Sequence, residues 1–322
     1  MTAQAFAQAT APTTGPSPAR PGRVVLRLHR TALIVWGVFV AVVSAVLLWA
    51  YGPLGNAARA AWRQNCTSEV CDWNDAIEGY HLAYTLSESA IAVVPLFVAL
   101  WAGGALIGRE LEIGTARLAW TQSVSPTRWL ATTLTVPAAL LTAGTTLLVL
   151  LHRLLFNAHK VPDGRVWSDD GTFEANGTVA IALPLLALAL GALTGLVVRR
   201  AGAAIAVSVV SLGIVSNLAS WASPHLWPWK TSVGDLKQGY RSPAHVIYGD
   251  EGAITSTGAH IPDPMCVDDK KCVTAHDIVG FYREYHPSSQ FWPLQLTETG
   301  LILAVTALAT AAAFWLLRRR TP

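Results

Sequence analysis

RELEIGTARLAWTQSVSPTRW, residues Arg109–Trp129, is a hydrophilic connection pressed between two long apolar runs. Gly114 can stop a helix arriving from residues 89–108, and Thr115 can N-cap a short helix over Ala116–Trp120. Ser125 and Pro126 then read as the N-cap and first-turn proline of the next helix. The pattern is helix, turn, short helix, turn, helix. An element of this kind lying across a membrane face could take a push from a soluble partner and pass it into two spans. The same spacing also fits an ordinary interhelical loop.

Working outward, the chain is too apolar for an ordinary soluble domain. Of its 322 residues, 52% are hydrophobic and 13% charged, where soluble domains carry about a quarter charged residues. A spanning helix needs roughly 20 apolar residues. Six stretches qualify, at 31–51, 89–108, 131–151, 178–198, 201–222 and 300–317. They predict an all-α integral membrane protein of six transmembrane helices, with both termini on one side and a large loop between helices 5 and 6.

Charge chooses the side. On the face of the termini lie Arg20, Arg23, Arg27, Arg30, Arg109, Arg117, Arg128, Arg199, Arg200, Arg318, Arg319 and Arg320, against only Glu110 and Glu112. The opposite face is net acidic. The positive-inside rule therefore puts both termini and the 109–129 connection in the cytoplasm of a multi-pass plasma-membrane protein. Basic residues sorted this way by a bilayer form no patch for nucleic acid.

Residues 1–19, rich in Ala, Thr, Pro and Gln, read as a disordered tail, and 20–30 as an amphipathic lead-in helix or a plain basic flank. Residues 318–322 form the cytoplasmic C-terminus. Gly104 and Gly108, and Gly191 and Gly195, form GxxxG pairs suited to close helix packing. Pro95, Pro137 and Pro184 mark kinks in three spans. The 223–299 segment holds nine aromatics near span ends, which fits an interfacial belt or short re-entrant pieces capping a pathway.

All four cysteines, Cys66, Cys71, Cys266 and Cys272, fall on the acidic face, where an oxidising environment permits disulfides. Three connectivities are possible, and the short separations favour Cys66–Cys71 and Cys266–Cys272. Zinc is the weaker alternative because paired CxxC spacing is missing, so no metal site is expected. Gln295 and Glu298, a helical turn apart at the start of the last span, are candidates for a polar gate at the outer mouth, or for a helix start favoured by the macrodipole.

Catalytic signatures are missing. There is no GxxxxGK[ST] phosphate loop, no HExxH and no GxSxG. His152 and His286 read as polar interface residues. The chain is expected to be non-catalytic and to bind no cofactor itself. A membrane-embedded enzyme would need ionisable groups inside the spans, which hold almost none.

At Glu112-Ile-Gly114-Thr115 the sequence resembles the membrane subunits of type 2 ATP-binding-cassette (ABC) exporters, whose loop after the second span begins with an acid followed by Gly-Thr. The resemblance widens to GTARLAWTQSVSPTRWLA and to YREYHPSSQFWPLQLTETG, both similar to stretches of actinobacterial-like ABC permeases. It implies a permease coupled to a separate cytoplasmic ATPase that holds ATP and magnesium, with a second permease copy and membrane lipids as further partners. Glu110, Glu112, Gly114, Thr115, Leu118, Trp120 and Gln122 would then contact the ATPase. Pro126 departs from the family pattern, standing eleven residues after Thr115 where about eight is usual. A membrane sensor or assembly subunit using the cysteine-bearing loops is the competing reading.

Overall fold

The computed structural model describes residues 29–66, 74–114, 116, 120, 125–158, 161, 165–266 and 269–321. Among them are six helices long and apolar enough to cross a membrane. The first breaks at Gly52–Pro53 into α1 (Arg30–Tyr51) and α2 (Pro53–Asn65). The second is α3 (Asp75–Trp101), which runs through a π-helical segment (Ala102–Gly108) into the single turn α4 (Arg109–Glu112). The third is α5 (Pro126–Asn157), and a short α6 (Asp170–Ala175) follows it. The hairpin of α7 (Val179–Val198) and α8 (Ala201–His225) comes next, and α10 (Phe291–Arg320) closes the chain.

Helix starts follow their caps. The Asn74 side chain accepts from the N–H groups of Ala76 and Ile77, so α3 begins at Asp75, well before the apolar run at residue 89. That puts Glu78 and Glu88 on a helix, where the sequence reading has a loop. Ser125 caps α5 as its sequence predicts, accepting from Arg128 N–H at 3.3 Å with Pro126 as the first helical residue. Pro95, Pro137 and Pro184 lie inside α3, α5 and α7.

Helix α7 is the axle of the fold. It is apolar all round and contacts α3, α5, α8, α10 and the π segment. Lipid tails are as apolar as leucine, so helices associate in a bilayer by close packing rather than by escape from water. A Cβ on Gly191 would come within 2.6 Å of Ala102 Cβ and 2.8 Å of Gly103 N, and one on Gly195 within 2.9 Å of Ile107. The GxxxG pair of α7 therefore seats the π segment directly. By contrast α1 exposes Ile34, Val35, Val38 and Val42, as a lipid-facing helix does.

The all-α expectation fails between α8 and α10. That segment folds into a four-stranded antiparallel sheet of β1 (Lys230–Asp235), β2 (Ile247–Thr255), β3 (His260–Ile261) and β4 (Ile278–His286), ordered β1-β4-β2-β3. Four of the nine aromatics read as a membrane belt, Tyr248, Phe281, Tyr282 and Tyr285, instead lie in strands. Phe281 and Tyr282 sit in β4 opposite Gly234 and Val233 of β1, and Tyr285 opposite Lys230. A turn with Gly258 at φ 79° joins β2 to β3, a conformation open to glycine without strain. Between β3 and β4 a short α9 (Lys270–Ala275) is capped by Asp269 and tied by the Cys266–Cys272 disulfide. His286 anchors the sheet on the helices: its Nε2 lies 3.2 Å from Pro224 O at the end of α8, and its ring stacks on Trp229 at 3.7 Å.

Candidate functional site

Two ends of the bundle carry the polar chemistry. At the arginine-rich end, Glu112 finishes α4 and Gly114 turns the chain at φ 78°. This is the helix stop that the sequence predicts. Ala116 and Trp120 are both helical. Thr115, Leu118 and Gln122 lie outside the described residues.

The two acids of this end turn toward the protein itself. Glu110 is buried, with Oε1 at 3.7 Å from His29 Nε2, and His29 meets Trp101 edge-on. Glu112 Oε2 accepts from Ala201 N–H at 3.0 Å. Ala201 is the first residue of α8, so the carboxylate sits at a helix N-terminus, where unpaired N–H groups and the macrodipole favour negative charge. Sequence reading offers Glu112 to an outside partner and misses this bond, because the two residues are 89 positions apart. Arg199, at φ 56°, ends α7 and makes the hairpin turn beside it. Arg320 donates to Leu196 O at 2.6 Å, bringing the last helix to the same place.

The apolar residues of the connection divide. Trp120 packs edge-on against Trp129 at 5.8 Å, and Ala116 is buried. Ile113 is 62% exposed. Among the described residues of this segment, the exposed apolar one is therefore Ile113, next to the Gly114 turn.

At the opposite end, Gln295 and Glu298 share the buried face of α10, as their spacing predicts. Gln295 Oε1 accepts from Val179 N–H at 3.1 Å and its Nε2 donates to Phe173 O at 2.6 Å. It thus bolts α6 and the start of α7 onto α10. Thr178 and Thr299 hydroxyls meet at 2.7 Å alongside. Nearby Glu174 has its carboxyl pushed above the ordinary value by burial, and further by the charge of Asp170.

A network that sequence reading does not find lies next to these residues. Arg165 Nη1 donates to Glu88 Oε2 at 3.0 Å and Nη2 to Thr85 Oγ1 at 2.8 Å, with the guanidinium 4.2 Å over the Tyr84 ring. Thr172 donates to the other Glu88 oxygen at 2.6 Å. His152, read as an interface residue, is fully buried. Its Nδ1 is 3.0 Å from Asn176 Oδ1 and its Nε2 is 3.8 Å from Glu88. The one local signal in the sequence is an acid directly before the apolar run that starts at residue 89.

Cys266 and Cys272 are bonded to each other, so these sulfurs are not thiolate ligands even though His276 lies close by. Cys66 is also in a disulfide; Cys71 lies outside the described residues.

Six helices long and apolar enough to span define a multi-pass membrane protein, with arginines gathered at one end and a buried polar network at the other. The family model described as "ABC-2 membrane transporter related" matches residues 31–222. This is more than half of the chain, and the chain belongs to that family. The matched region runs from α1 through most of α8, and so takes in the 109–129 connection and the α7–α8 hairpin. No curated protein and no solved structure matches the chain.

Proposed function

We propose that this chain is the membrane-spanning permease subunit of an ABC exporter, driven by a separately encoded cytoplasmic ATPase, with both termini and the 109–129 connection in the cytoplasm. The arginine-rich end supports that orientation. The observation that carries the coupling role is the bond from Glu112 to Ala201 N–H. Together with the π segment seated on Gly191 and Gly195, it means that a push on residues 109–114 is felt by α3, α7 and α8 at once. On this reading Ile113 and the Gly114 turn meet the ATPase. Glu110 and Glu112, with Thr115 as a cap, hold the lever rigid, and Leu118, Trp120 and Gln122 are further proposed ATPase contacts.

The test is co-expression with a candidate cytoplasmic ABC ATPase. Gly114→Pro and Glu112→Arg should insert at normal abundance yet lose ATPase binding or transport-coupled hydrolysis. Wild-type coupling in both variants would reject the assignment.

A second copy of the chain is the proposed membrane partner. Asn217 is exposed in the second half of α8 and, among the described residues, donates only to Gly213 O at 2.8 Å, and an amide facing lipid is unfavourable unless another helix covers it. No free cysteine occurs among the described residues, and Asn217→Cys adds a reactive thiol on α8, read against the unsubstituted chain as control. It should crosslink to itself in native membranes, and a strictly monomeric product would remove the dimer. Gln295 and Glu298 remain the proposed outer gate, with Glu298→Gln and transport as the readout.

A further inference from the structure

At the sheet end, a cavity of about 210 Å³ opens between the last turn of α5 and the first turn of α10. Arg153, Trp167, Asn176, Phe291 and Trp292 are among its lining residues. Arg153 places its guanidinium 4.5 Å over the Trp292 ring and 5.7 Å from that of Phe291. Among the described residues its one hydrogen bond is to Asn176 O, at 3.3 Å, and no carboxylate pairs with it. A guanidinium carries five N–H donors and cannot shed its charge. The aromatic contacts leave N–H donors on its edge for a doubly accepting anion such as a phosphate. The Arg165 guanidinium nearby shows what the protein does when it supplies the counter-charge itself, in the form of Glu88.

The surroundings indicate where such an anion comes from. One turn toward the membrane centre from Arg153 stands Leu150, 58% exposed, and one turn inward from Trp292 stands Leu296, 57% exposed. Both helices thus continue the polar cavity as an apolar ridge. A ligand with a charged head and hydrocarbon tail matches this order, whereas a free anion would use only the cavity. The volume is below the roughly 300–1,000 Å³ of sites for drug-sized molecules, which suits a headgroup rather than a whole cargo.

We propose that this cavity holds the phosphate of an anionic phospholipid, gripped by the edge of Arg153 and flanked by Trp292, with its tails along Leu150 and Leu296. The leaflet, the outer one, rests on the orientation proposed above; the binding itself does not. The full-length chain, purified in mild detergent, is tested by native mass spectrometry for retention of phosphatidylglycerol, phosphatidylcholine and inorganic phosphate. Wild type should retain phosphatidylglycerol over phosphatidylcholine. Arg153→Gln should weaken the anionic lipid about tenfold, the scale of one lost charged contact, with Arg153→Lys intermediate.

Equal retention by wild type and Arg153→Gln overturns the proposal. Complete displacement of the lipid by millimolar inorganic phosphate also overturns it, and assigns the cavity to a free anion. Should Arg153→Gln fail to fold, Trp292→Ala and Leu150→Ser carry the same test, and unchanged lipid retention in both overturns it. No ATPase is needed, so failure of coupling leaves the result standing. Membrane-impermeant labelling of Ser289→Cys on intact cells reads the orientation separately.

Discussion

Among the described residues, Glu112 and Arg320 at the arginine-rich end each make one bond to a helix end, whereas the sheet end holds a buried network of side chains bonded several ways at once. Glu112 reaches one N–H of α8 and Arg320 one carbonyl of α7. Glu88 instead takes Arg165 on one oxygen and Thr172 on the other, with Thr85 and Tyr84 completing the guanidinium's shell. Gln295 adds two bonds, to a backbone carbonyl of α6 and to the first N–H of α7. A bundle tied in this way can shift its α4 turn and α7–α8 hairpin as a unit while the far end keeps its shape.

The contrast breaks most sharply at Glu88. Glu88→Leu leaves Arg165 without its counter-charge in a largely buried site, where removing one partner of an ion pair typically costs about 3–5 kcal/mol. Thermal unfolding in detergent should show a large drop, with the helices still inserted. A loss no greater than that of a surface substitution would mean that the sheet end is not the rigid one.

The next effect tests the axle between the ends. Gly191→Leu drives a side chain into Ala102 and the backbone of Gly103, an overpacking that costs roughly 1–3 kcal/mol. It should lower stability and also uncouple the two ends, because the π segment loses its seat on α7. Unchanged unfolding together with unchanged ATPase stimulation would show that the close approach carries no load.

At the arginine-rich end the expected cost is smaller. Glu112→Ala removes an anion from a solvent-facing helix N-terminus, worth about 0.3–1 kcal/mol. Coupling should suffer far more than the unfolding midpoint. If Glu112→Ala destabilises the chain as much as Glu88→Leu, the comparison between the ends collapses.

How much of this was legible follows from the range of the interactions. The six spans, the Gly114 stop, the Ser125 cap and the small-residue pairs depend on neighbours within a turn or two, and sequence displays them directly. The Cys266–Cys272 bond, six residues apart, belongs with them. Glu88–Arg165 and Glu112–Ala201 join residues 77 and 89 positions apart, and no local pattern announces either. The sheet was hidden for another reason. Its strands are irregular, with register shifts between Tyr248 and Glu251 and between Ile254 and Thr255, so period-two alternation is broken where it would be read. Its aromatics also imitate a membrane belt in composition.

The smallest expected effect lies in that sheet and isolates burial as the cause of the largest. Arg283 pairs with Glu251 across β4 and β2 at 2.5 Å, and its guanidinium lies near the rings of Tyr240 and Tyr248. The ingredients are those of Arg165, Glu88 and Tyr84. The Glu251 side chain, however, is 49% exposed, against 12% for Glu88. Water can replace the lost carboxylate, and the aromatic contacts remain, so Glu251→Ala should cost about 0.5 kcal/mol or less, within the range of exposed pairs. Raising the salt concentration should shrink even that, while leaving the Glu88→Leu loss nearly unchanged, because buried pairs are poorly screened. Equal losses in the two variants, or equal sensitivity to salt, would mean that the Glu88 network is solvated in the membrane and that rigidity at this end comes from the sheet alone.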